Sequence, residues 1–150
     1  MKRLRGTRLL LLALPGLLLY SGCSTLNPDA HLAAFSTQLT GMNQVPPTPS
    51  LAGGKLYAVL DRNTRLLRWK LDYSGLSGVA TAGHFHGPAA IGANAPALLS
   101  LGTQLRSPQE GRATLSPAQA ADLLAGRWYV SLRTVAYPAG EIRGQLILRE

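Results

Sequence analysis

The chain has 150 residues, of which 46% are hydrophobic and 15% charged, a composition typical of a folded protein and not of a disordered one. The formal net charge is +8, but four of the fifteen basic residues lie before residue 9, and the remainder carries eleven basic against seven acidic residues. Those eleven are dispersed, and no aromatic stripe accompanies them, which excludes a recognisable nucleic-acid footprint. Cys23 is the only cysteine, so no internal disulfide can form.

The first twenty-three residues predict an export signal. A basic beginning (Lys2, Arg3, Arg5, Arg8) is followed by the apolar run 9–19, interrupted only by a proline and a glycine. That run has about a dozen residues, whereas a helix that spans a bilayer needs about twenty. Residues 1–23 are therefore expected to direct export and not to cross the membrane.

The signal ends in Ser21, Gly22 and Cys23, and small residues before a lone cysteine resemble the lipobox of bacterial lipoproteins, in which the thiol is acylated after cleavage. Tyr20 stands where that motif usually has leucine. Acylation of Cys23 would also remove a free thiol from an oxidising compartment. An ordinary cleaved signal is the alternative. We expect a palmitate-type anchor in the cell membrane or outer membrane, with the protein on the periplasmic or extracellular face.

Residues 24–34 have no hydrophobic period and contain Pro28, which predicts a tether with His31 in solvent. The remaining residues, 35–150, are enough for one domain with one core. This division gives a signal at 1–23, a tether at 24–34 and a domain at 35–150.

Short strands separated by turns are predicted through the domain, over residues 35–39, 55–60, 67–73, 79–86, 97–101, 112–115, 128–133 and 141–149. Residues 107–111 are expected to form a turn. One helix is predicted near 117–125, since Ser116 can cap its first turn, Pro117 suits the first helical position and Gly126 follows its end. The fold class is all-β: an antiparallel β-sandwich or Greek-key-like barrel of about seven or eight strands with one short helix.

Four segments in order carry a family resemblance: 39–47 (LTGMNQVPP), 82–89 (AGHFHGPA), 124–126 (LAG), and 128–134 (WYVSLRT) with 138–146 (PAGEIRGQL). Together they resemble the CHRD domain, the module repeated in chordin and found singly in many bacterial secreted proteins. The match spans about residues 35 to 148. We therefore expect a single CHRD unit that acts as a non-catalytic binding or structural module, with an envelope protein or polysaccharide as its partner.

His84 and His86 are candidate metal ligands, because residues i and i+2 of a strand project from the same face. Both imidazoles could bind one copper or zinc ion, with an oxygen from Glu141 or Asp72. The resemblance implies a further histidine in the penultimate strand, where this chain has Arg133, whose charge opposes a bound cation. The alternative needs no cofactor: Arg133 forms an ion pair with Glu141, and both histidines form hydrogen bonds that order the following loop.

No enzyme is predicted from the residue inventory. The His-x-His pair and the segment 140–144 resemble copper-zinc superoxide dismutase, but His31, His84 and His86 are too few for a copper site and a zinc site. No Gly-x-Ser-x-Gly nucleophile elbow occurs, and most carboxylates lie at predicted turn or helix positions. Metal binding is therefore the alternative to a binding module, and a dismutase-like enzyme is a distant third.

Overall fold

The computed structural model describes residues 27–102 and 104–149. The predicted export signal, Cys23 and the first three residues of the predicted tether lie outside the described residues. Within the described ranges, no helix has the length and apolar character needed to cross a membrane.

Nine strands and one α-helix follow one another in the described part of the chain. Their bounds are β1 Leu32–Thr40, β2 Gly53–Asp61, β3 Leu66–Ser74, β4 Ala82–His86, β5 Ala97–Ser100, β6 Gln109–Thr114, α1 Pro117–Leu124, β7 Tyr129–Arg133, β8 Ile142–Gln145 and β9 Ile147–Arg149, with a 3-10 turn at Gly41–Asn43. All strand pairs are antiparallel and form one sheet in the order β5-β4-β7-β8-β1-β2-β3-β6, with β9 also beside β1. The all-β prediction with a single short helix is confirmed.

The β2–β3 hairpin shows why these residues form strands. Along β3, Leu67, Trp69 and Leu71 are buried and the residues between them are exposed, which is the alternation of a strand with one face on the core. The turn between the strands is held by the Asp61 carboxylate, which accepts hydrogen bonds from the backbone N–H groups of Asn63 and Thr64 at 2.8 and 3.1 Å.

The sheet curls until its two ends pack against each other. β3 and β4 lie near opposite ends of the strand order, yet the rings of Trp69 and Phe85 are 5.2 Å apart and meet edge to face. Phe85 also contacts Trp128 at 5.8 Å. Each such side chain contributes roughly 1.5–3 kcal/mol on burial. This single core closes the sheet into a sandwich-like half-barrel.

Strand β6 begins earlier than the sequence predicts. Residues 107–111 were expected to form a turn because of Pro108 and Gly111, but Gln109–Thr114 is a strand in which Gly111 lies opposite Trp69. A Cβ atom at Gly111 would overlap the Trp69 ring. The glycine is therefore used to leave room for the indole and not to reverse the chain.

The first strand begins before the predicted start of the domain, and the last predicted strand is divided in two. β1 begins at Leu32, within the stretch assigned to the tether, and residues 32–34 pair with 59–61 of β2 because Ala33 is buried in the core. His31 lies 3.9 Å from Asp61 and is partly buried. The predicted strand at 141–149 divides into β8, which ends at Gln145, and β9, which begins at Ile147. Between them, the Leu146 N–H donates to the Trp128 carbonyl, and the chain then pairs with β1.

The helix forms as predicted. The Ser116 side chain accepts a hydrogen bond from the Gln119 N–H, the Gln119 side chain accepts one from the Ser116 N–H, and Pro117 occupies the first turn. Gly126 follows the helix with a φ of +71°, a conformation that glycine adopts without strain.

Three loops converge on one buried carboxylate, that of Glu141, which is fully buried. One of its oxygens accepts hydrogen bonds from the Ser50 hydroxyl at 2.7 Å and the Ser77 N–H at 2.9 Å; the other accepts from the hydroxyls of Ser77 and Thr134 at 2.7 and 2.6 Å. The Thr48 hydroxyl binds the Glu141 carbonyl at 2.8 Å. Loops 41–52, 75–81 and 134–141 are thereby joined through neutral donors.

The predicted ion pair between Arg133 and Glu141 is not formed. The β7–β8 register makes their backbones neighbours, but the Glu141 carboxylate turns toward Ser50, Ser77 and Thr134, which occupy its oxygens. Burial raises the pKa of Glu141, yet the hydrogen bonds from these three residues outweigh that effect and lower the pKa overall. The carboxylate is therefore ionised at neutral pH without a cationic partner.

We expect Glu141→Gln to lower the free energy of unfolding by about 1–3 kcal/mol, because the amide nitrogen would face donors that need an acceptor. Urea unfolding at pH 7 measures the change. Glu110→Gln is the matched control, since Glu110 is exposed on β6, and it should change stability by less than about 0.5 kcal/mol. Equal effects of the two substitutions would contradict this role of Glu141.

The stabilisation by Glu141 should depend on pH. Its pKa is lowered in the folded state from an ordinary value of 4.5, so the stabilisation is complete above that value and is lost as the pH falls through the lower folded pKa. The difference in unfolding free energy between the wild type and Glu141→Gln should therefore be constant from pH 7 to about 5 and shrink at lower pH. Urea unfolding across this range measures it, and a difference that stays constant at low pH would refute the claim.

Candidate functional site

Strands β4, β7 and β8 carry polar side chains on the face that points away from the core. Phe85, Val130 and Leu132 are buried in the core, and the residues that alternate with them point to the other side. In the register, His84 pairs with Ser131, His86 with Tyr129, and Ser131 with Arg143. We call this set the polar face; it comprises His84, His86, Tyr129, Ser131, Arg133 and Arg143.

Two loops cover the polar face and remove much of it from solvent. The Gln44 side chain donates a hydrogen bond to the Ser131 hydroxyl at 3.0 Å, and the Asn94 side chain donates to the carbonyl of Val45 at 2.9 Å. His86, Ser131 and Arg143 are consequently 5%, 4% and 2% exposed. An antiparallel sheet commonly leaves one face in water, whereas this half of the sheet buries polar groups on its second face.

The ring of Tyr129 lies between an imidazole and a guanidinium. His86, on β4, stacks on it with 4.7 Å between centroids and 2° between planes, and the Cζ atom of Arg143, on β8, is 3.5 Å from its centroid. Such a cation–π contact strengthens when it is removed from water. The Tyr129 hydroxyl also donates to the Ala95 carbonyl and accepts from the Ala95 N–H, both at 3.1 Å. This stack fixes loop 87–96 over the sheet.

Arg143 is a buried cation with neutral partners. Its guanidinium donates to the Asn94 side-chain oxygen at 2.9 Å and to the Ala93 carbonyl at 2.7 Å. Burial lowers the pKa of Arg143, but a guanidinium remains charged at physiological pH. Ion pairs in the described ranges involve other residues, Lys70 with Glu110 and Arg127 with Asp122. The polar face therefore carries positive charge without a carboxylate.

Both histidines of the polar face have a ring nitrogen without a partner. His86 Nδ1 lies 3.0 Å from the Ala95 carbonyl, which only accepts, so Nδ1 carries the hydrogen. His86 Nε2 and His84 Nδ1 are buried and make no hydrogen bond among the described residues. Burial first, and the charge of Arg133 as well, lowers the pKa of both rings. Both imidazoles are therefore neutral at pH 7.

The structure brings together two of the predicted metal ligands and separates the others. The rings of His84 and His86 are 6.0 Å apart on one face, as the i, i+2 spacing predicts. The Glu141 carboxylate is bound by the hydroxyls of Ser50, Ser77 and Thr134. Asp72 is exposed on β3. Within residues 27–102 and 104–149, no three His, Cys, Asp or Glu side chains are grouped so that they could hold a metal ion. The Arg133 charge next to the imidazoles also opposes a cation.

A cleft of about 190 Å³ opens at the polar face. The strands contribute His86, Tyr129, Ser131 and Arg133 to its wall, and the covering loops contribute Gln44, Val45, Asn94, Ala95 and Ala139. Arg133 is partly buried, and its Nε atom makes no hydrogen bond among the described residues. The cleft is thus lined by hydrogen-bonding residues, while the partnerless Arg133 Nε and His86 Nε2 atoms are themselves buried.

Sequence reasoning named His84, His86 and Arg133 but missed the residues that bury them. Tyr129, Ser131 and Arg133 alternate along a predicted strand, so their shared face was readable from the sequence. The sequence does not show that Gln44 and Asn94 cover this face. Both residues lie in loops whose path depends on contacts with segments that are distant in the chain. Among the described residues, no imidazole binds the Ser131 hydroxyl, so the face shows no serine–histidine nucleophile pair.

Comparison with known proteins adds one finding. No curated protein and no solved structure matches this chain. The family model described as the CHRD domain matches residues 35–146, well over half of the 150 residues. That match runs from the middle of β1 to the end of the β7–β8 hairpin and includes every residue of the polar face. The chain therefore belongs to the CHRD domain family.

Proposed function

We propose that this protein is an exported, lipid-anchored component of the bacterial cell envelope, and that its CHRD domain binds a ligand without catalysing a reaction. The family match supports a binding or structural module. The observation that carries the binding role is the cleft on the polar face, whose described lining includes the cationic Arg133 and no carboxylate.

A binding role explains the Arg133 charge better than a purely structural one. A charge removed from water is costly unless other groups satisfy it, and Glu141 is an example of a satisfied group, since both of its oxygens accept hydrogen bonds. Arg133 is partly buried, and the ion pairs of the described ranges involve other residues. An anionic group of a ligand in the cleft would pair with the Arg133 charge.

The anchor would hold the cleft close to the membrane. β1 begins at Leu32, so residues 24–31 alone separate Cys23 from the domain. Eight extended residues span at most about 28 Å. A lipid on Cys23 would therefore keep the domain within about one domain diameter of the bilayer, where envelope polysaccharides and membrane-associated proteins are its nearest partners.

We expect Cys23→Ser to release the protein from the membrane, because a serine cannot take the thioether-linked lipid. The full-length chain, expressed in a bacterium and supplied with radiolabelled palmitate, should carry label and sediment with membranes. The variant should lose the label and appear in the soluble envelope fraction. Ser24→Ala serves as the neighbouring control and should behave like the wild type, whereas label retained by Cys23→Ser would contradict the anchor.

We expect Arg133→Gln to reduce binding of envelope material at least tenfold, because a lost charge-assisted hydrogen bond changes affinity by about that factor. The exported chain carrying Cys23→Ser, which keeps the whole domain, is immobilised and exposed in separate arms to solubilised envelope proteins and to envelope polysaccharide. Arg68→Gln is the matched control, since Arg68 is exposed on β3. The proposal is contradicted if the domain without these substitutions retains no envelope material. It is also contradicted if the Arg133→Gln and Arg68→Gln variants retain equal amounts.

Metal binding is the second candidate, supported by the two partnerless nitrogens of His84 and His86 on one face. The charge of Arg133 and the binding of the Glu141 carboxylate by Ser50, Ser77 and Thr134 oppose it, so we expect the wild type to retain no stoichiometric copper or zinc after dialysis. Elemental analysis measures this. One equivalent of metal in the wild type that disappears in a His84→Ala, His86→Ala double variant would establish the second candidate in place of the first.

A further inference from the structure

The outer face of the sheet exposes apolar side chains where the tether enters the domain. Leu32 and Val59 are 38% and 40% exposed. Together with Leu66, Arg68 and Asp61 they line a depression of about 340 Å³ on this face. Leu32 is the first residue of β1. The depression therefore lies at the end of the sheet that the chain reaches first after the tether.

Two arginines lie opposite each other on neighbouring strands at this depression. In the β3–β6 register, Arg68 pairs with Arg112, and both side chains are exposed. Like charges directly opposite each other destabilise a sheet. The next outward-facing pair of the same strands, Lys70 and Glu110, has opposite charges 3.9 Å apart. Within the described ranges, neither Arg68 nor Arg112 forms an ion pair, so an anionic partner would relieve their repulsion.

The turn between β2 and β3 adds a further cation beside the tether. The Arg62 N–H donates to the His31 carbonyl at 2.8 Å, and the Arg62 side chain is exposed. The carboxylate in this turn, that of Asp61, already accepts from the N–H groups of Asn63 and Thr64. Cationic side chains therefore outnumber carboxylates here. We call the six residues of this region the basic surface; it comprises Leu32, Val59, Arg62, Leu66, Arg68 and Arg112.

We infer that the basic surface rests on the anionic phospholipid headgroups of the bilayer that holds the anchor. Proteins bind at a bilayer interface through buried apolar area together with attraction to anionic lipids, and the basic surface offers both. An acidic polysaccharide would match the arginines but would leave Leu32 and Val59 in water. The inference rests on the proposed anchoring and adds to it the orientation of the domain, because the tether ends at this same surface.

Vesicle binding tests the surface on the exported chain carrying Cys23→Ser, in which no lipid holds the domain to the membrane. Co-sedimentation compares vesicles of phosphatidylglycerol and phosphatidylcholine in equal parts with vesicles of phosphatidylcholine alone. Each basic residue near an anionic surface changes partitioning about fivefold, so binding to the anionic vesicles should be at least about tenfold stronger. Raising the salt from about 0.1 M to about 1 M shortens the range of exposed charges from about 10 Å to about 3 Å and should remove the preference. Equal binding to the two vesicles, or binding to neither, would overturn the inference.

Substitution of Arg112 separates a lipid-binding role from a structural one. Arg112→Gln should lower partitioning to the anionic vesicles about fivefold. It should leave the free energy of unfolding unchanged or raised, because it removes the repulsion of Arg68. Lys55→Gln is the matched control: it removes the same charge from the same face, but Lys55 lies opposite Asp72, so the loss should be less than about twofold. Arg62→Gln repeats the test in the turn. Equal losses in the Arg112 and Lys55 variants would overturn the assignment to this surface.

A fluorescent label reports the orientation directly. The Cys23→Ser chain contains no other thiol, so one introduced cysteine carries a single environment-sensitive fluorophore. On anionic vesicles, the labelled Val59→Cys variant should shift its emission to shorter wavelength, because its position meets the headgroup region. Val135→Cys is the control, since Val135 is 85% exposed in the loop that leads to β8 near the last residue of β1. Equal shifts at both positions, or a shift at Val135 alone, would overturn the orientation.

The outcomes separate this inference from the anchor on which it rests. If Cys23 takes up palmitate but the Cys23→Ser chain ignores anionic vesicles, the anchor stands and the inference fails. If the chain binds anionic vesicles through Arg112 but Cys23 takes up no palmitate, the lipid-binding surface stands and the anchor fails. Polygalacturonate tests the competing partner: retention that depends on Arg112, with no shift of the Val59→Cys label on vesicles, would overturn the assignment to lipid.

Discussion

The fully buried carboxylate of Glu141 is the interaction on which the architecture of the site depends. It accepts four hydrogen bonds from Ser50, Ser77 and Thr134, and these residues belong to three loops that are distant in sequence. An ionised carboxylate can be buried when neutral donors replace its hydration, because hydrogen bonds to a charged group are roughly twice as strong as those between neutral groups. The use of neutral donors also leaves the arginines of the polar face without an acidic partner.

One of these loops and a further loop, 87–96, give the sheet its second buried layer. Loop 41–52, held by Ser50 and Thr48, brings Gln44 to Ser131. Loop 87–96 is held by Arg143, which binds the Ala93 carbonyl and the Asn94 side chain. The outcome is a cationic, hydrogen-bonding cleft on a rigid strand platform, with walls built from loops. This combination of a rigid sheet and covering loops is common in binding sites.

The sequence predicted those features that depend on local pattern. The alternation of Leu67, Trp69 and Leu71 predicted β3, the Ser116 cap predicted the helix, and the spacing of His84 and His86 predicted their common face. It did not predict features that depend on contacts between distant segments. Gly111 was expected in a turn because its role, to make room for Trp69, is visible only across the sheet.

The same distinction between local sequence patterns and contacts of distant segments applies to the site. Arg133 and Glu141 were expected to pair because they are close in the hairpin, yet two hydroxyls 64 and 91 residues earlier in the chain, and one nearby, compete successfully for the carboxylate. Proximity along a hairpin therefore indicated where Arg133 lies and not which group binds it. Arg143 lies in the predicted strand 141–149, but nothing local in the sequence shows that Asn94 and Tyr129 enclose it.

The central claim is that the buried Glu141 carboxylate is held by neutral donors alone, which leaves the polar face cationic and without a metal centre. The most direct measurement is a high-resolution crystal structure of the exported domain, with diffraction data collected at the copper and zinc absorption edges. The account predicts a Glu141 carboxylate bound by Ser50, Ser77 and Thr134, with no anomalous peak between His84 and His86. A Glu141 carboxylate paired with Arg133, or an anomalous peak bridging the two imidazoles, would contradict it.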